Sequence, residues 1–158
     1  MILQPLSAVQ SSTTAALRWA SVPYEGSYAL SRVPVISIID DDTSVRIGAS
    51  NLLRSHGYAV HTFASAEEFL RSGHRDNTSC VIADVQMPGA SGIELQRLLA
   101  AQGARVPFIF ITAFPDESLR AQALKAGAIC FLIKPFDGPT LIRCLDSALQ
   151  RDGERTTK

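Results

Sequence analysis

Short apolar runs alternate with longer amphipathic stretches between residues 35 and 150 of the chain. The apolar runs are rich in β-branched and aromatic residues, which is typical of buried parallel strands. The amphipathic stretches have the periodicity and end signals of helices. The predicted strands cover residues 35–40, 58–63, 80–84, 106–112 and 129–134, and the predicted helices cover residues 43–57, 65–70, 91–103, 117–128 and 140–150.

The ends of these helices are marked by specific residue types. Gly57 predicts a stop after the first helix, and Asp137 is expected to cap the last one. Two Ser–Glu pairs have the spacing of a capping box: Ser65 with Glu68, and Ser91 with Glu94.

Strict alternation of strand and helix predicts an α/β fold with a doubly wound, five-stranded parallel sheet of the flavodoxin-like (βα)5 type. In such sheets, ligands bind at the carboxyl ends of the strands. We assign residues 35–152 to this domain. Residues 1–34 lack a periodic apolar pattern and are expected to form a poorly ordered extension, although their Ser-rich, acid-poor composition also resembles a transit peptide. Residues 153–158 are expected to form a polar tail.

Composition argues against two classes of partner. Lys plus Arg and Asp plus Glu number 15 each, so no overall positive field favours direct binding of nucleic acid. No apolar run approaches the roughly 20 residues of a membrane span.

The three cysteines lack metal-ligand spacing, and we interpret Cys80, Cys130 and Cys144 as ordinary thiols in a reducing, cytoplasmic compartment.

Four of the nine aspartates follow the predicted strand ends. Two carboxylates about 4 Å apart repel by about 4 kcal/mol at an effective dielectric of 20, so this edge predicts a bound cation. Oxygen ligands favour Mg²⁺. A carboxylate beside Mg²⁺ can attack a phosphoryl group, for which Thr112 offers a hydroxyl donor and Lys134 a positive charge. The four aspartates are Asp40, Asp41, Asp42 and Asp84.

Four segments at these strand ends resemble the receiver domain of bacterial two-component response regulators, closest to the nitrogen-fixation (FixJ) and LuxR types. They are IIDDDTSVR, IADVQMPGASGIEL, FIFITAF and GAICFLIKPF. The resemblance implies that Asp84 is the phosphoacceptor and that Thr112 and Lys134 bind the phosphoryl group. It further implies that the Lys134–Pro135 bond is cis and that Asp42 lies in the first turn of the first helix. The implied Mg²⁺ ligands are Asp40, Asp41, Asp84 and the backbone carbonyl of Gln86.

The same resemblance implies a signalling role. Thr112 and Phe131 are expected to be switch residues that change the surface formed by the fourth helix, fifth strand and fifth helix, through which a homodimer is also possible. The implied partners are a sensor histidine kinase or phosphotransfer protein and a downstream protein target. We expect no enzymatic activity beyond the chain's own phosphorylation and slow dephosphorylation. Because few residues follow Gln150, we expect a stand-alone or truncated receiver.

Two alternatives remain open on sequence. In a magnesium-dependent phosphohydrolase of the haloacid-dehalogenase type, Asp40 would be the nucleophile, although that family needs an acidic pair after the lysine and Asp137 and Asp146 have the wrong spacing for it. The other alternative is a receiver-like interaction module that is never phosphorylated.

Overall fold

The computed structural model describes residues 32–156 and contains five strands, five α-helices and one short 3₁₀ helix. The strands are β1 (Val35–Ile39), β2 (Ala59–Phe63), β3 (Cys80–Asp84), β4 (Phe108–Thr112) and β5 (Cys130–Ile133). The helices are α1 (Thr43–Ser55), α2 (Ala66–Arg71), α3 (Gly92–Ala101), α4 (Glu117–Lys125) and α5 (Gly138–Thr156), and the 3₁₀ helix is Arg75–Asn77.

All strand pairs are parallel, and their order across the sheet is β2-β1-β3-β4-β5. This order confirms the predicted flavodoxin-like sheet. The register pairs Ile39 of β1 with Ala83 of β3, and Thr112 of β4 with Ile133 of β5. The residues that end or follow these strands therefore share one edge of the sheet.

Helices cover both faces of the sheet, each over a separate apolar cluster. On one face, α1 and α5 contribute Leu53 and Leu145 to a cluster that includes Ile38 of β1. On the other face, α2 and α3 contribute Phe69 and Leu99 to a cluster around Phe108 and Phe110. Burial on both faces explains why β3 and β4 read as continuous apolar runs.

The predicted helix caps are largely confirmed. Ser91 and Glu94 form the complete capping box of α3, and the Thr140 N–H donates to Asp137 at the start of α5. The prediction for α2 is only half correct. The Ser65 hydroxyl accepts from the Glu68 N–H, but the Glu68 carboxylate accepts from the N–H of Ala64 instead of that of Ser65.

Two predicted boundaries differ from the structure or lie outside it. Helix α5 continues to Thr156, so residues 153–156 belong to the helix and not to a polar tail. The prediction of a poorly ordered extension over residues 1–34 falls almost wholly outside the described residues. Within those residues, no helix is long and apolar enough to cross a membrane.

The interpretation of the cysteines is wrong for two of the three. Cys130 of β5 and Cys144 of α5 form a disulfide, with their Cα atoms 6.0 Å apart. Only Cys80, which is fully buried in β3, is the expected apolar thiol. The separation of 14 residues between the two cysteines does not by itself predict a disulfide, because the pairing depends on how α5 packs against the sheet. The cysteine pattern therefore no longer supports a reducing compartment.

Candidate functional site

Three carboxylates converge at the carboxyl edge of the central strands. Asp84 is the last residue of β3, and Asp40 and Asp41 follow the neighbouring strand β1. One carboxylate oxygen from each lies within 4.8 Å of the other two. Asp40 and Asp84 are buried and Asp41 is exposed. The structure thus brings together three of the residues predicted as metal ligands.

Lys134 enters the same cluster from the end of β5. Its ammonium nitrogen lies 2.7 Å from Asp40 Oδ2 and 2.8 Å from Asp84 Oδ2. The Lys134–Pro135 peptide bond is cis, as predicted. The Lys134 N–H also donates to the Thr112 carbonyl at 2.7 Å, which fixes the lysine backbone against β4.

The electrostatics of the cluster favour a cation. Burial raises the pKa of Asp40, and the nearby Asp84 charge adds to this, although the hydrogen bond from Lys134 opposes it. Burial would lower the pKa of Lys134, but its hydrogen bonds and ion pairs with Asp40 and Asp84 outweigh burial and raise it. The lysine is therefore held in its charged form between two carboxylates.

Backbone amides hold the two buried carboxylates in place. Asp40 Oδ1 accepts from the Asp42 N–H at 2.8 Å, and Asp84 Oδ1 accepts from the Gln86 N–H at 2.9 Å. The Arg46 guanidinium donates to the Asp40 carbonyl. Asp42 is the N-cap of α1 and accepts from the Ser44 N–H, so the expectation that it lies inside the first turn is wrong by one position.

Of the remaining predicted residues, Thr112 and Phe131 do not contact the carboxylates in this structure. Thr112 is fully buried, and its hydroxyl both accepts from the Phe114 N–H at 3.1 Å and lies 3.3 Å from the Phe114 carbonyl. Phe131 is half-buried and packs against the apolar cluster on the α3 face. Gln86 joins the site through its N–H, and its carbonyl as a metal ligand stays a prediction.

Two residues that shape the site were missed or only partly understood from sequence. Gly92 is the first residue of α3, and a Cβ there would lie 2.4 Å from the Asp84 carbonyl oxygen. Glu67 of α2 accepts from the Ala90 N–H at 2.9 Å, and this hydrogen bond is the main reason that its pKa is lowered. Its only sequence signal was an acidic residue in a first helical turn, which usually indicates a dipole interaction.

The donor set fits a hard divalent cation. Three carboxylate oxygens lie within reach of one ion, and hard cations prefer oxygen ligands. The Lys134 ammonium now pairs with one oxygen of each buried carboxylate, while their other oxygens accept backbone N–H groups. Asp41 is the exposed member of the cluster and leaves a side of the site open to solvent.

Comparison with known proteins assigns the family. A model of the response regulator receiver domain matches residues 36–146. The chain belongs to the response regulator receiver family. Nodulation protein W of Bradyrhizobium diazoefficiens is 40% identical over 121 residues, which cover 77% of this chain and 53% of that protein. Transcriptional regulatory protein FixJ of Azorhizobium caulinodans is 41% identical over 120 residues, which cover 76% and 57%, respectively.

Solved structures support the same assignment. The response regulator StyR superimposes with a TM-score of 0.74 at 44% identity, covering 80% of this receiver and 64% of that chain. A receiver protein from Burkholderia phymatum gives a TM-score of 0.65 at 46% identity, covering 74% and 95%. The chain spans about half the length of the curated relatives it matches.

The comparisons do not support the two alternative functions. The geometry also argues against the haloacid-dehalogenase type, because no aspartate after Lys134 belongs to the carboxylate cluster found among the described residues. Asp137 binds Thr140 at the start of α5, and Asp146 accepts a hydrogen bond from the Tyr58 hydroxyl at 3.2 Å. By family, the chain is therefore a receiver domain of the kind found in response regulators.

Proposed function

We propose that this receiver accepts a phosphoryl group on Asp84 from a phosphohistidine of a sensor histidine kinase or phosphotransfer protein. The observation that carries the proposal is the convergence of Asp40, Asp41, Asp84 and Lys134 on one edge of the sheet. Asp84 is the proposed acceptor because it ends the central strand β3 and its Oδ2 atom lies 2.8 Å from the Lys134 ammonium, which can pair with an incoming phosphoryl group.

The transfer is a simple exchange of bonds. A carboxylate oxygen of Asp84 forms a bond to phosphorus while the bond between phosphorus and the histidine nitrogen breaks, and the imidazole keeps the electron pair and gains a proton. Mg²⁺, when bound by Asp40, Asp41, Asp84 and the Gln86 carbonyl, would neutralise negative charge on the phosphoryl oxygens. The Lys134 ammonium, already 2.8 Å from Asp84, is positioned to pair with one of those oxygens.

We propose that Thr112 and Phe131 convert phosphorylation into a change of surface. The Thr112 hydroxyl now binds the backbone of Phe114, so it must give up these hydrogen bonds to donate to a phosphoryl group on Asp84. That movement would shift the loop after β4 and open space beside β5, into which Phe131 can turn. This movement matters for signalling only if the phosphoryl group stabilises the arrangement with Thr112 turned toward Asp84 more than the arrangement with Thr112 bound to Phe114.

The surface of α4, β5 and α5 is the proposed site of recognition by a downstream protein or by a second copy of the chain. Ile133 and Leu124 are exposed apolar residues on these elements. In this proposal the receiver acts by protein binding, without direct contact to nucleic acid and without catalysis on any other substrate. A cytoplasmic location stays a prediction.

The experiment that tests the phosphoacceptor is intact-mass spectrometry after incubation with acetyl phosphate and Mg²⁺. The unmodified chain is expected to gain one phosphoryl group, and Asp84→Asn to gain none. Asp76→Asn, which changes an exposed aspartate in the 3₁₀ helix, is the matched control and should be phosphorylated normally. A chain that gains no mass under these conditions would instead be a receiver-like interaction module.

A further inference from the structure

A cavity lies at the edge of the sheet opposite the carboxylate cluster. Its volume is about 570 Å³, which is within the usual range for small-molecule sites. It lies between the carboxyl-terminal half of α3, the loop that precedes β4, the turn after α4 and the last turns of α5. The receiver function does not use any of its lining residues, so the cavity requires a separate explanation.

Positive charge dominates the rim of this cavity. The rim carries three arginines, Arg105, Arg151 and Arg155, and one acid, Asp152. Arg151 and Arg155 are four residues apart on α5 and therefore project from the same side of the helix. Within residues 32–156, no hydrogen bond or ion pair engages the three guanidinium groups. Guanidinium groups prefer phosphate and carboxylate partners, so the rim suits a small anion.

A buried amide in the wall adds a requirement for a hydrogen-bond donor. Gln96 of α3 is only 8% exposed, and its Nε2 donates to the Ala126 carbonyl at 3.1 Å. Among the described residues, Gln96 Oε1 has no hydrogen-bond partner. Buried polar atoms are usually paired, because leaving one unpaired costs about 1–3 kcal/mol. A ligand N–H or O–H that reaches Gln96 Oε1 would satisfy this oxygen.

The remaining wall is apolar and can hold a ring. It is formed by Leu99, Val106, Phe108, Ile129 and Ala148. Of these, Val106 and Ile129 are half-buried and keep apolar surface toward the cavity, whereas Phe108 at the start of β4 is almost fully buried. An occupant that combines an anionic group, an apolar ring and a hydrogen-bond donor on that ring would match these three features of the lining.

We propose that this cavity is a binding site for a mononucleotide. The phosphate would bind the arginines of the rim, the base would lie against the apolar wall, and an amino or imino group of the base would donate to Gln96 Oε1. The site involves α5, whose other face packs on the sheet, so an occupant would contact an element of the proposed recognition surface. The inference does not depend on Asp84 being phosphorylated.

The test is a titration of the full chain, uniformly labelled with ¹⁵N, with adenosine 5′-monophosphate, followed by heteronuclear NMR. Saturable shifts are expected at the amides of Gln96, Ala126 and Gly127. Adenosine lacks the phosphate and ribose 5-phosphate lacks the base, so each should bind at least tenfold more weakly. Absence of saturable shifts with the mononucleotide overturns the proposal. Equal binding of inorganic phosphate also overturns it and indicates an adventitious ion only.

A matched pair of substitutions on one helix localises the site. Arg151→Gln removes a rim arginine and is expected to weaken mononucleotide binding about tenfold. Arg143→Gln makes the same change of charge on α5 at a residue that binds Thr140 outside the cavity, and should change the affinity less than twofold. Equal weakening by both variants would contradict the site. Both should keep the dispersed amide spectrum of the native chain, which shows that they are folded.

Discussion

At the scale of single residues, the arrangement of the acidic site depends on Lys134. Its side chain is 14% exposed, and its ammonium lies within 2.8 Å of two carboxylates that are almost fully buried. Buried charges are costly to leave unpaired, and removing one partner of such a pair usually costs more than the pair contributes. The lysine is therefore expected to stabilise the fold as well as the phosphoryl group.

Lys134→Ala is expected to lower the free energy of unfolding by about 3 kcal/mol in metal-free buffer, because Asp40 and Asp84 would lose their common cation. Urea unfolding at neutral pH measures this loss. The control is Lys125→Ala, which removes an exposed lysine at the end of α4 and should change stability by less than about 0.5 kcal/mol. Similar losses in the two variants would show that the buried ion pairs do not stabilise the fold.

At the scale of elements, the site depends on how closely α3 approaches the end of β3. A Cβ on Gly92 would lie 2.4 Å from the Asp84 carbonyl oxygen, so the first position of α3 has no room for a side chain. The Gly92 N–H also donates to the Val85 carbonyl at 3.2 Å, which ties the helix to the loop after the acceptor. The position of Asp84 is therefore set partly by a residue that carries no functional group.

Gly92→Ala is expected to destabilise the fold by about 2 kcal/mol, since α3 must move away from β3 to relieve the overlap with Asp84. Gly48→Ala is the matched control, because a Cβ at Gly48 in α1 meets nothing within 4 Å. Alanine is the better helix former, so this control should be neutral or up to about 1 kcal/mol more stable. Thermal unfolding of both variants decides the point, and a Gly92→Ala chain as stable as the Gly48→Ala chain would contradict it.

The disulfide between β5 and α5 gives a second prediction about elements. The disulfide joins residues 14 positions apart, and closing a loop of that length is expected to stabilise the fold by about 3 kcal/mol, chiefly by restricting the unfolded chain. A reducing agent should therefore lower the denaturation midpoint of the native chain, but not that of Cys144→Ser. Titration of thiols in the denatured, non-reduced chain should find one free thiol, that of the buried Cys80. Finding three free thiols would contradict the bond.

The sequence predicted the order of elements well because the signals were local. Apolar runs such as residues 80–84 and caps such as Ser91 depend on a few neighbouring residues, and the structure has both. Contacts between distant segments were harder to predict. The hydrogen bond from the Ala90 N–H to the Glu67 carboxylate and the disulfide between Cys130 and Cys144 both depend on how helices pack, which no local sequence pattern records.

The same distinction applies to the site. Strand ends placed Asp40, Asp84 and Lys134 at one edge, because parallel strands must end together. The orientation of Thr112 could not be predicted, since its hydroxyl can form hydrogen bonds with the backbone of Phe114, as here, or with a phosphoryl group in the proposed phosphorylated state. That choice depends on the state of the site and not on the residue alone.

At the scale of the whole molecule, binding of Mg²⁺ is expected to raise the free energy of unfolding. A ligand that binds only the folded chain raises the free energy of unfolding by about 2.7 kcal/mol at one hundred times its Kd. Mg²⁺ is expected to do so for the native chain, and a chelator to reverse it. Asp41→Asn changes an exposed ligand, so it should leave metal-free stability within about 0.5 kcal/mol while strongly reducing the effect of Mg²⁺. An undiminished Mg²⁺ effect in this variant would remove Asp41 from the site.

The central claim is that Asp84, and no other carboxylate of the cluster, takes up the phosphoryl group. Borohydride reduces an acyl phosphate to an alcohol and so converts the phosphorylated aspartate to homoserine, which peptide mass spectrometry can locate. After incubation with acetyl phosphate and Mg²⁺, we predict homoserine at position 84. Homoserine at position 40 would indicate the nucleophile of a phosphohydrolase, and it would contradict the account directly.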